Sequence, residues 1–352
     1  LTGRADDGRA SADALPFLFS PGTGAPGTDR NQSVQRGSQA KYGLTLPLRA
    51  RDNAALMAAE NQSYESIVES RFPGLVARIR GFIENSEREY EGDAERRESH
   101  LWEHTVQVAS LACRLATLEG LDPLIPSIAA LFHDAGKFAG GRYHEGETAE
   151  EEESARIAAR LLGEAGMKAA DIRKVTAGLV ALYNEKAGEN AVAALIHDAD
   201  FLSKFGALGI AAFFTKSVLR GRTLRSSVLG YLSKELTYAA SLPANMRTAA
   251  GRRMAEKKAG DSLRFFRNLL AELKDAGIVD LRIRRLEVPS PRGGKALRIR
   301  LAAAPACPSC GGRWRMAWRT EQGVKCTSLH VEWDCARCDE RLETSFCLPE
   351  IA

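Results

Sequence analysis

The hydrophobic period of this chain changes once, at Gly277, and that switch constrains the fold more than any other feature. From Asn53 to about Ala276, apolar residues recur at three- and four-residue intervals, as in Ile67, Phe72, Leu75, Val76 and Ile79. Such spacing lays an apolar stripe along one side of a helix. Ile128 to Phe132 is apolar throughout, which suits a helix buried on most sides, and Gly and Pro residues punctuate the run at Gly120 to Pro126 and Gly140-Gly141. Beyond Gly277, Leu281, Ile283, Leu297, Ile299 and Leu301 alternate with Arg282, Arg284, Arg298 and Arg300. A turn at Pro289-Ser290-Pro291-Arg292-Gly293-Gly294 divides them, so a β-hairpin with an apolar face and an arginine face is expected. The fold class is mainly α, a helical bundle followed by a small β domain.

Residues 1–50 follow neither period. Turn formers succeed one another from Pro21 to Gly27, and such a segment buries too little apolar surface to offset its ordering entropy. It is expected to be a flexible tail, with residues 51–94 a helical lead-in. With 44% hydrophobic and 27% charged residues, the 352-residue chain as a whole is neither disordered nor fibrous. No run approaches the roughly 18 apolar residues of a membrane span, so no membrane partner is expected. A net charge of +4 is too small to imply nucleic-acid binding by itself. The start at Leu1 shows no basic stretch followed by an apolar run, so a cytoplasmic location is expected.

Six of the seven cysteines crowd into the C-terminal part: Cys307, Cys310, Cys326, Cys335, Cys338 and Cys347. Cys307-Pro308-Ser309-Cys310 and Cys335-Ala336-Arg337-Cys338 are two C-x2-C units in a β context. Two such knuckles facing each other give Zn²⁺ its four thiolates with little strain, and the pattern resembles a zinc ribbon. A structural zinc would stabilise so small a domain outright. Cys326, Cys347 and His330 are left over, as small buried residues or a fallback ligand. Arg282, Arg284, Arg298, Arg300, Arg313 and Arg315 with Trp314, Trp318 and Trp333 would suit nucleic acid. A protein partner and a purely structural role are the alternatives. Cys113, among Leu111, Ala112 and Leu115, is expected in the core.

Histidine is scarce, six in all, yet four sit beside Asp or in helical register with another His. His100 and His104 are one turn apart, His133-Asp134 ends the buried apolar stretch, and His197-Asp198-Ala199-Asp200 follows the apolar Ala191 to Ile196. Charged groups there are costly to bury unless paired or metal-bound. Imidazole with carboxylate suits Mn, Fe, Co or Ni, or Mg if several waters are retained.

The order His104, His133-Asp134, Asp200 resembles the HD-superfamily metal-dependent phosphohydrolases, closest to the small bacterial HD hydrolases. The likeness takes in His100-x3-His104, Asp198-Ala199-Asp200, Gly206-Ala207-Leu208-Gly209-Ile210 and Leu242 to Arg252. It implies an HD domain over 95–276, with the β-hairpin and zinc ribbon over 277–352. It further implies that His104, His133, Asp134 and Asp200 hold one divalent ion that acidifies a water for attack on phosphorus. The implied substrate is a small phosphorylated molecule, most of all a nucleotide. The resemblance implies the second Asp of the Asp-Ala-Asp unit, Asp200, as the ligand. Residues two apart on a helix point about 200° apart, so Asp198 cannot face the same ion and is expected as a structural residue.

Two departures from the resemblance shape the expectations. Phe201 stands where relatives often carry a basic residue, so Lys204, on the face of Asp200, and Lys137, one turn beyond His133, are the expected phosphate contacts beside Asp134. Tyr183, in Val180-Ala181-Leu182-Tyr183-Asn184, stands where many carry a His and is a poor ligand. That speaks against a two-metal site and against the alternative of a di-iron oxygenase. A non-catalytic module binding nucleotide or nucleic acid is the other alternative. His144 and the acidic run Glu150 to Glu153 are read as surface loop and solvated helix start, or as further ligands.

Overall fold

A computed structural model of the chain describes residues 63–91, 98–141, 149–183, 188–290, 296–323 and 326–349. The 1–50 segment and His144 lie outside the described residues. Ten α-helices come first: α1 (Tyr64–Arg71), α2 (Leu75–Glu91), α3 (His100–Leu118), α4 (Leu124–Phe132), α5 (Glu150–Glu164), α6 (Ala169–Val180), α7 (Ala191–Ser203), α8 (Gly206–Leu219), α9 (Leu224–Asn245) and α10 (Ala249–Asp275). Five strands follow: β1 (Arg282–Val288), β2 (Leu297–Ala303), β3 (Trp314–Gln322), β4 (Thr327–Cys335) and β5 (Arg341–Cys347). The expected mainly α chain with a small β end is what is found. No single described helix is long and apolar enough to cross a membrane.

Helix starts are set by short polar side chains that accept from orphan backbone N–H groups. Ser99 takes the Trp102 amide at 2.9 Å, Asn190 the Val192 amide at 3.0 Å, and Thr248 the Gly251 amide at 2.9 Å. The core lies where α3, α4 and α7 meet. Val108 and Leu115 of α3, Ile128 to Phe132 of α4, and Leu195 and Ile196 of α7 are buried together, with Cys113 among them. Each large side chain buried this way contributes about 1.5–3 kcal/mol. Such a core holds the ends of α4 and α7 together, and those ends carry the histidines and aspartates.

Strands β1 and β2 pair antiparallel, and β3-β4-β5 form a second antiparallel sheet. The two sheets share one apolar cluster, in which Val288, Ile299 and Leu301 meet Leu329, Val331, Trp333 and Phe346. The hairpin departs from the expected division into apolar and arginine faces. Its register sets Arg284 opposite Leu301 and Arg282 opposite Ala303, whereas Arg285 stands opposite Arg300. Arginines therefore project from both faces, because alternation within a strand does not fix which face its partner shares.

The hairpin is fastened to the bundle. Thr237 Oγ1 on α9 accepts from the Arg300 amide at 3.0 Å and donates to its carbonyl at 3.1 Å, and Ser233 Oγ accepts from the Ala302 amide at 3.0 Å. Helix hydroxyls thus satisfy the outer edge of β2. Beside them Ile283 and Ala302 pack against Val228, Leu232, Leu236 and Phe266.

Candidate active site

Three elements bring the site together. His104 lies on α3, one turn into the helix. His133 caps the C-terminal end of α4, and Asp134 follows it in the turn. Asp200 lies near the end of α7. The turn after Asp134 runs tight against α5. A Cβ on Gly136 would meet the Glu150 carbonyl oxygen at 2.4 Å, so only glycine fits. Ser154 of α5 locks that turn, accepting from the Gly136 amide at 2.9 Å and donating to the His133 carbonyl at 3.2 Å.

The ring nitrogens converge. His104 Nε2 and His133 Nε2 are 3.3 Å apart, and His104 Nε2 is 3.2 Å from Asp200 Oδ1. Asp134 Oδ2 lies 3.7 Å from His104 Nε2 and 3.6 Å from His133 Nε2. The His133 Nδ1 stands 2.8 Å from the Ala130 carbonyl, which can only accept, so Nδ1 carries the proton and Nε2 turns a lone pair into the site. Burial depresses the His104 imidazole, against the pull of Asp200, and favours its neutral form as well.

Asp200 is nearly sealed from solvent, and its two oxygens have different company. Oδ2 accepts from Lys204 Nζ and from the Tyr183 hydroxyl, both at 2.7 Å. Oδ1 is buried and, among the described residues, has no hydrogen-bond partner. A buried carboxylate oxygen left bare is costly, and this one faces two imidazole nitrogens. His104, His133 and Asp200 offer donor atoms within 4.8 Å of one another, a set that could hold a divalent cation. Asp134 borders that set, with Lys137 Nζ 2.9 Å from its Oδ2.

These groups open into a cavity of about 610 Å³. His100, Lys137, Tyr183 and Lys204 line it, and so do Lys216, Arg220 and Arg222, which no sequence motif marks. Lys216 comes from α8, across a sharp bend from α7, and no motif marks it. Burial, then Lys137 and Lys204, hold its amine below the usual lysine range. Tyr183 donates its hydroxyl to Asp200 Oδ2, and burial followed by the nearby carboxylates raises its phenol above the usual range. Phe201 packs on the His197 ring, with centroids 4.6 Å apart, and takes no part in the cavity. Glu150 and Glu151 begin α5, as expected of an acidic helix start, yet both line the cavity. Burial and then the Asp134 charge push Glu150 up to about 7.

The family model for the HD domain matches residues 101–200. This region of the chain is an HD domain. Bacillus subtilis YpgQ in complex with ADP is 22% identical over 56% of this chain and 94% of its own, with a TM-score of 0.42. An HD-superfamily hydrolase from Bacillus thuringiensis is 23% identical over 56% of this chain and 97% of its own, with a TM-score of 0.40. No curated protein matches the chain.

Within the HD domain the two aspartates of Asp198-Ala199-Asp200 point apart, as helix geometry requires. Asp198 accepts from the Arg247 and Thr248 amides at 2.8 Å each, from the Thr248 hydroxyl at 2.7 Å, and from His197 Nδ1 at 3.0 Å. It ties α7 to the start of α10. Asp198→Ala would strand two half-buried amides and a hydroxyl, so it is expected to cost about 2–5 kcal/mol, read as a lower urea midpoint. Asp198→Asn is expected to keep more hydrolysis than Asp200→Asn while losing more stability. The opposite order in both assays would place the ligand at the wrong aspartate.

The second donor cluster is at the β end. The four sulfurs of Cys307, Cys310, Cys335 and Cys338 lie within 4.8 Å of one another, as a zinc ribbon needs. Cys326 and Cys347 are joined in a disulfide, and neither is a fallback ligand. The register explains why. Cys347 pairs with Ser328, two residues from Cys326, and the two cysteine Cα atoms come within 5.8 Å. His330 is drawn toward Glu321, with Nε2 3.4 Å from Oε2, and away from the sulfurs.

Proposed function

We propose that this protein is a metal-dependent phosphohydrolase whose HD cavity cleaves a phosphate ester, with a nucleotide as the preferred substrate class. The observation that carries the reading is the buried Asp200 Oδ1, set 3.2 Å from His104 Nε2 and beside the His133 Nε2 that turns its lone pair into the site. In this reading His104, His133, Asp134 and Asp200 hold one divalent ion, drawn from Mn, Fe, Co, Ni or Mg. Such an ion, when bound, acidifies a water and neutralises charge on the phosphoryl oxygens.

The chain's own groups do the rest. Lys204 and Tyr183 bind Asp200 Oδ2 and so aim Oδ1 inward. Lys137 holds Asp134, and its ammonium, with those of Lys204 and Lys216, gives the cavity wall three cations suited to phosphoryl oxygens. Tyr90 and Phe138 stack on each other at the rim, their centroids 4.8 Å apart, and offer an apolar face to a base. In the ribbon a single zinc is structural. A cytoplasmic location suits the five free thiols; the Cys326–Cys347 disulfide is the feature that opposes it.

The test is a hydrolysis screen over nucleotides and sugar phosphates with Mn, Mg, Co and Ni each supplied, alongside metal analysis. Phosphate release with one such ion per chain besides zinc is the expected result. Two irons per chain would indicate oxygenation instead. Tight nucleotide binding by metal-loaded protein without turnover would make the site a sensor.

A further inference from the structure

The HD cavity leaves the hairpin's arginines unused. Strands β1 and β2 carry five of them, Arg282, Arg284, Arg285, Arg298 and Arg300, against a single acid, Glu287. Arg285 and Arg300 stand directly opposite each other, an arrangement that like charges disfavour. Arg300 is half-buried. Burial first, then Arg285 and Arg267 of α10, hold its guanidinium below the usual range. Among the described residues no carboxylate pairs with Arg267, Arg282, Arg284, Arg285 or Arg300. A fold that gathers guanidiniums without acids bears a repulsion that an external anion relieves.

The anion has an extended form to fit. Among the described residues strand β1 pairs with β2 alone, and Arg282, Arg284 and Arg285 along it are exposed. Along it Arg282 and Arg284 project from one face and Arg285 from the other. Same-face residues on a strand repeat every 6.7 Å or so, at about 3.3–3.4 Å per residue. Successive phosphates of an extended single strand are spaced similarly. On the face of Arg284 the sheet also offers apolar planes. The Arg284 guanidinium sits 5.4 Å above the Trp333 ring, and Met316 and Trp318 of β3, neighbours of Trp333 and Val331, are 40% and 38% exposed. Exposed indole beside arginine is what unpaired bases stack on.

We propose that the hairpin arginines, with Met316 and Trp318 of β3, form a binding surface for single-stranded nucleic acid, held by its phosphates and by stacking irrespective of sequence. This surface is separate from the HD cavity and stands whether or not that cavity hydrolyses nucleotides.

The test is fluorescence anisotropy of a labelled oligothymidylate with the full, zinc-loaded chain over a salt series. Binding that weakens steeply with salt is expected. R285E sets a carboxylate opposite Arg300, so it should fold at least as well as the parent. It should weaken binding by about tenfold or more and, by removing Arg285 and pairing Arg300, flatten the salt slope by about 1.4, at roughly 0.7 for each of the two phosphates no longer neutralised. W318A should weaken binding about 5- to 100-fold and leave the slope alone. A duplex of equal length should bind less well than the single strand. Absence of oligonucleotide binding at low salt would overturn the proposal, as would parental affinity in a folded R285E chain. Equal affinity for duplex, or capture by anionic vesicles with no affinity for the oligonucleotide, would overturn it too.

Discussion

Asp134→Ala is expected to abolish phosphate-ester hydrolysis, by at least about 10³-fold, while the helical fold persists. The side chain sits where it matters to a cation and hardly at all to packing. Its Oδ2 lies within 3.7 Å of both imidazole Nε2 atoms and 2.9 Å from Lys137 Nζ. Burial opposes its ionisation, but His133, Lys137 and His104 outweigh that and hold the carboxyl well below the usual range. The anionic form is therefore the favoured one. Its removal takes a charge from the ion and a partner from Lys137. The turn itself rests on backbone bonds that Ala retains, Ala135 to Phe132 at 3.0 Å and Lys137 to Asp134 at 3.1 Å. Circular dichroism should be unchanged, and metal bound per HD site should fall. Near-parental turnover by the variant in a metal-replete assay would refute the mechanism.

Much of this site is legible in the sequence because the family motif is local. His133 and Asp134 are neighbours, His104 lies on the same face of its helix wherever that helix packs, and the 3.6-residue period separates Asp198 from Asp200 without any structure. What is not legible depends on distant chain segments meeting. Lys216 reaches the cavity from α8, and nothing near it in sequence distinguishes it from a solvated lysine. Tyr183 reads from its residue type only as a poor ligand. Its actual contact, a hydroxyl donated to the far oxygen of Asp200, is a relation between α6's end and α7 that spacing does not encode. The hairpin shows the same limit. Each strand's alternation is plain, but the register between them sets arginine opposite leucine at one pair and arginine opposite arginine at the next. That register is decided by packing on α9 and on the second sheet.

Replacing both Cys335 and Cys338 by Ser is expected to empty the ribbon of zinc and unfold β3-β4-β5 while leaving the HD domain hydrolysing small substrates. The four sulfurs already sit as ligands should, with Cys310 and Cys335 3.4 Å apart and Cys307 and Cys338 3.7 Å apart. Burial works against a Cys335 thiolate, but the amides of Arg337 and Cys338 outweigh it and bring the thiol down to about 6. An N–H of that kind, from Arg337 at 3.3 Å, favours the anionic form that a metal needs. Structural zinc contributes about 10–16 kcal/mol of apparent binding energy, more than so small a sheet replaces from its own core. The loss should not stop at β3. Leu329, Val331 and Trp333 form a single cluster with Ile299 and Leu301, so the hairpin's inner face loosens with them. It should halt at α9, where Ser233 and Thr237 hold the edge of β2 and Ile283 packs on the helices. Three readings separate these steps: zinc content falls to none, Trp333 moves from 4% exposure into water with a red-shifted emission, and the far-UV helix signal stays. The assay should be run with reductant and without, since an intact Cys326–Cys347 disulfide still ties β4 to β5. If hydrolysis of small substrates vanishes while the helix signal is intact, the ribbon completes the active site, and the division between 95–276 and 277–352 fails.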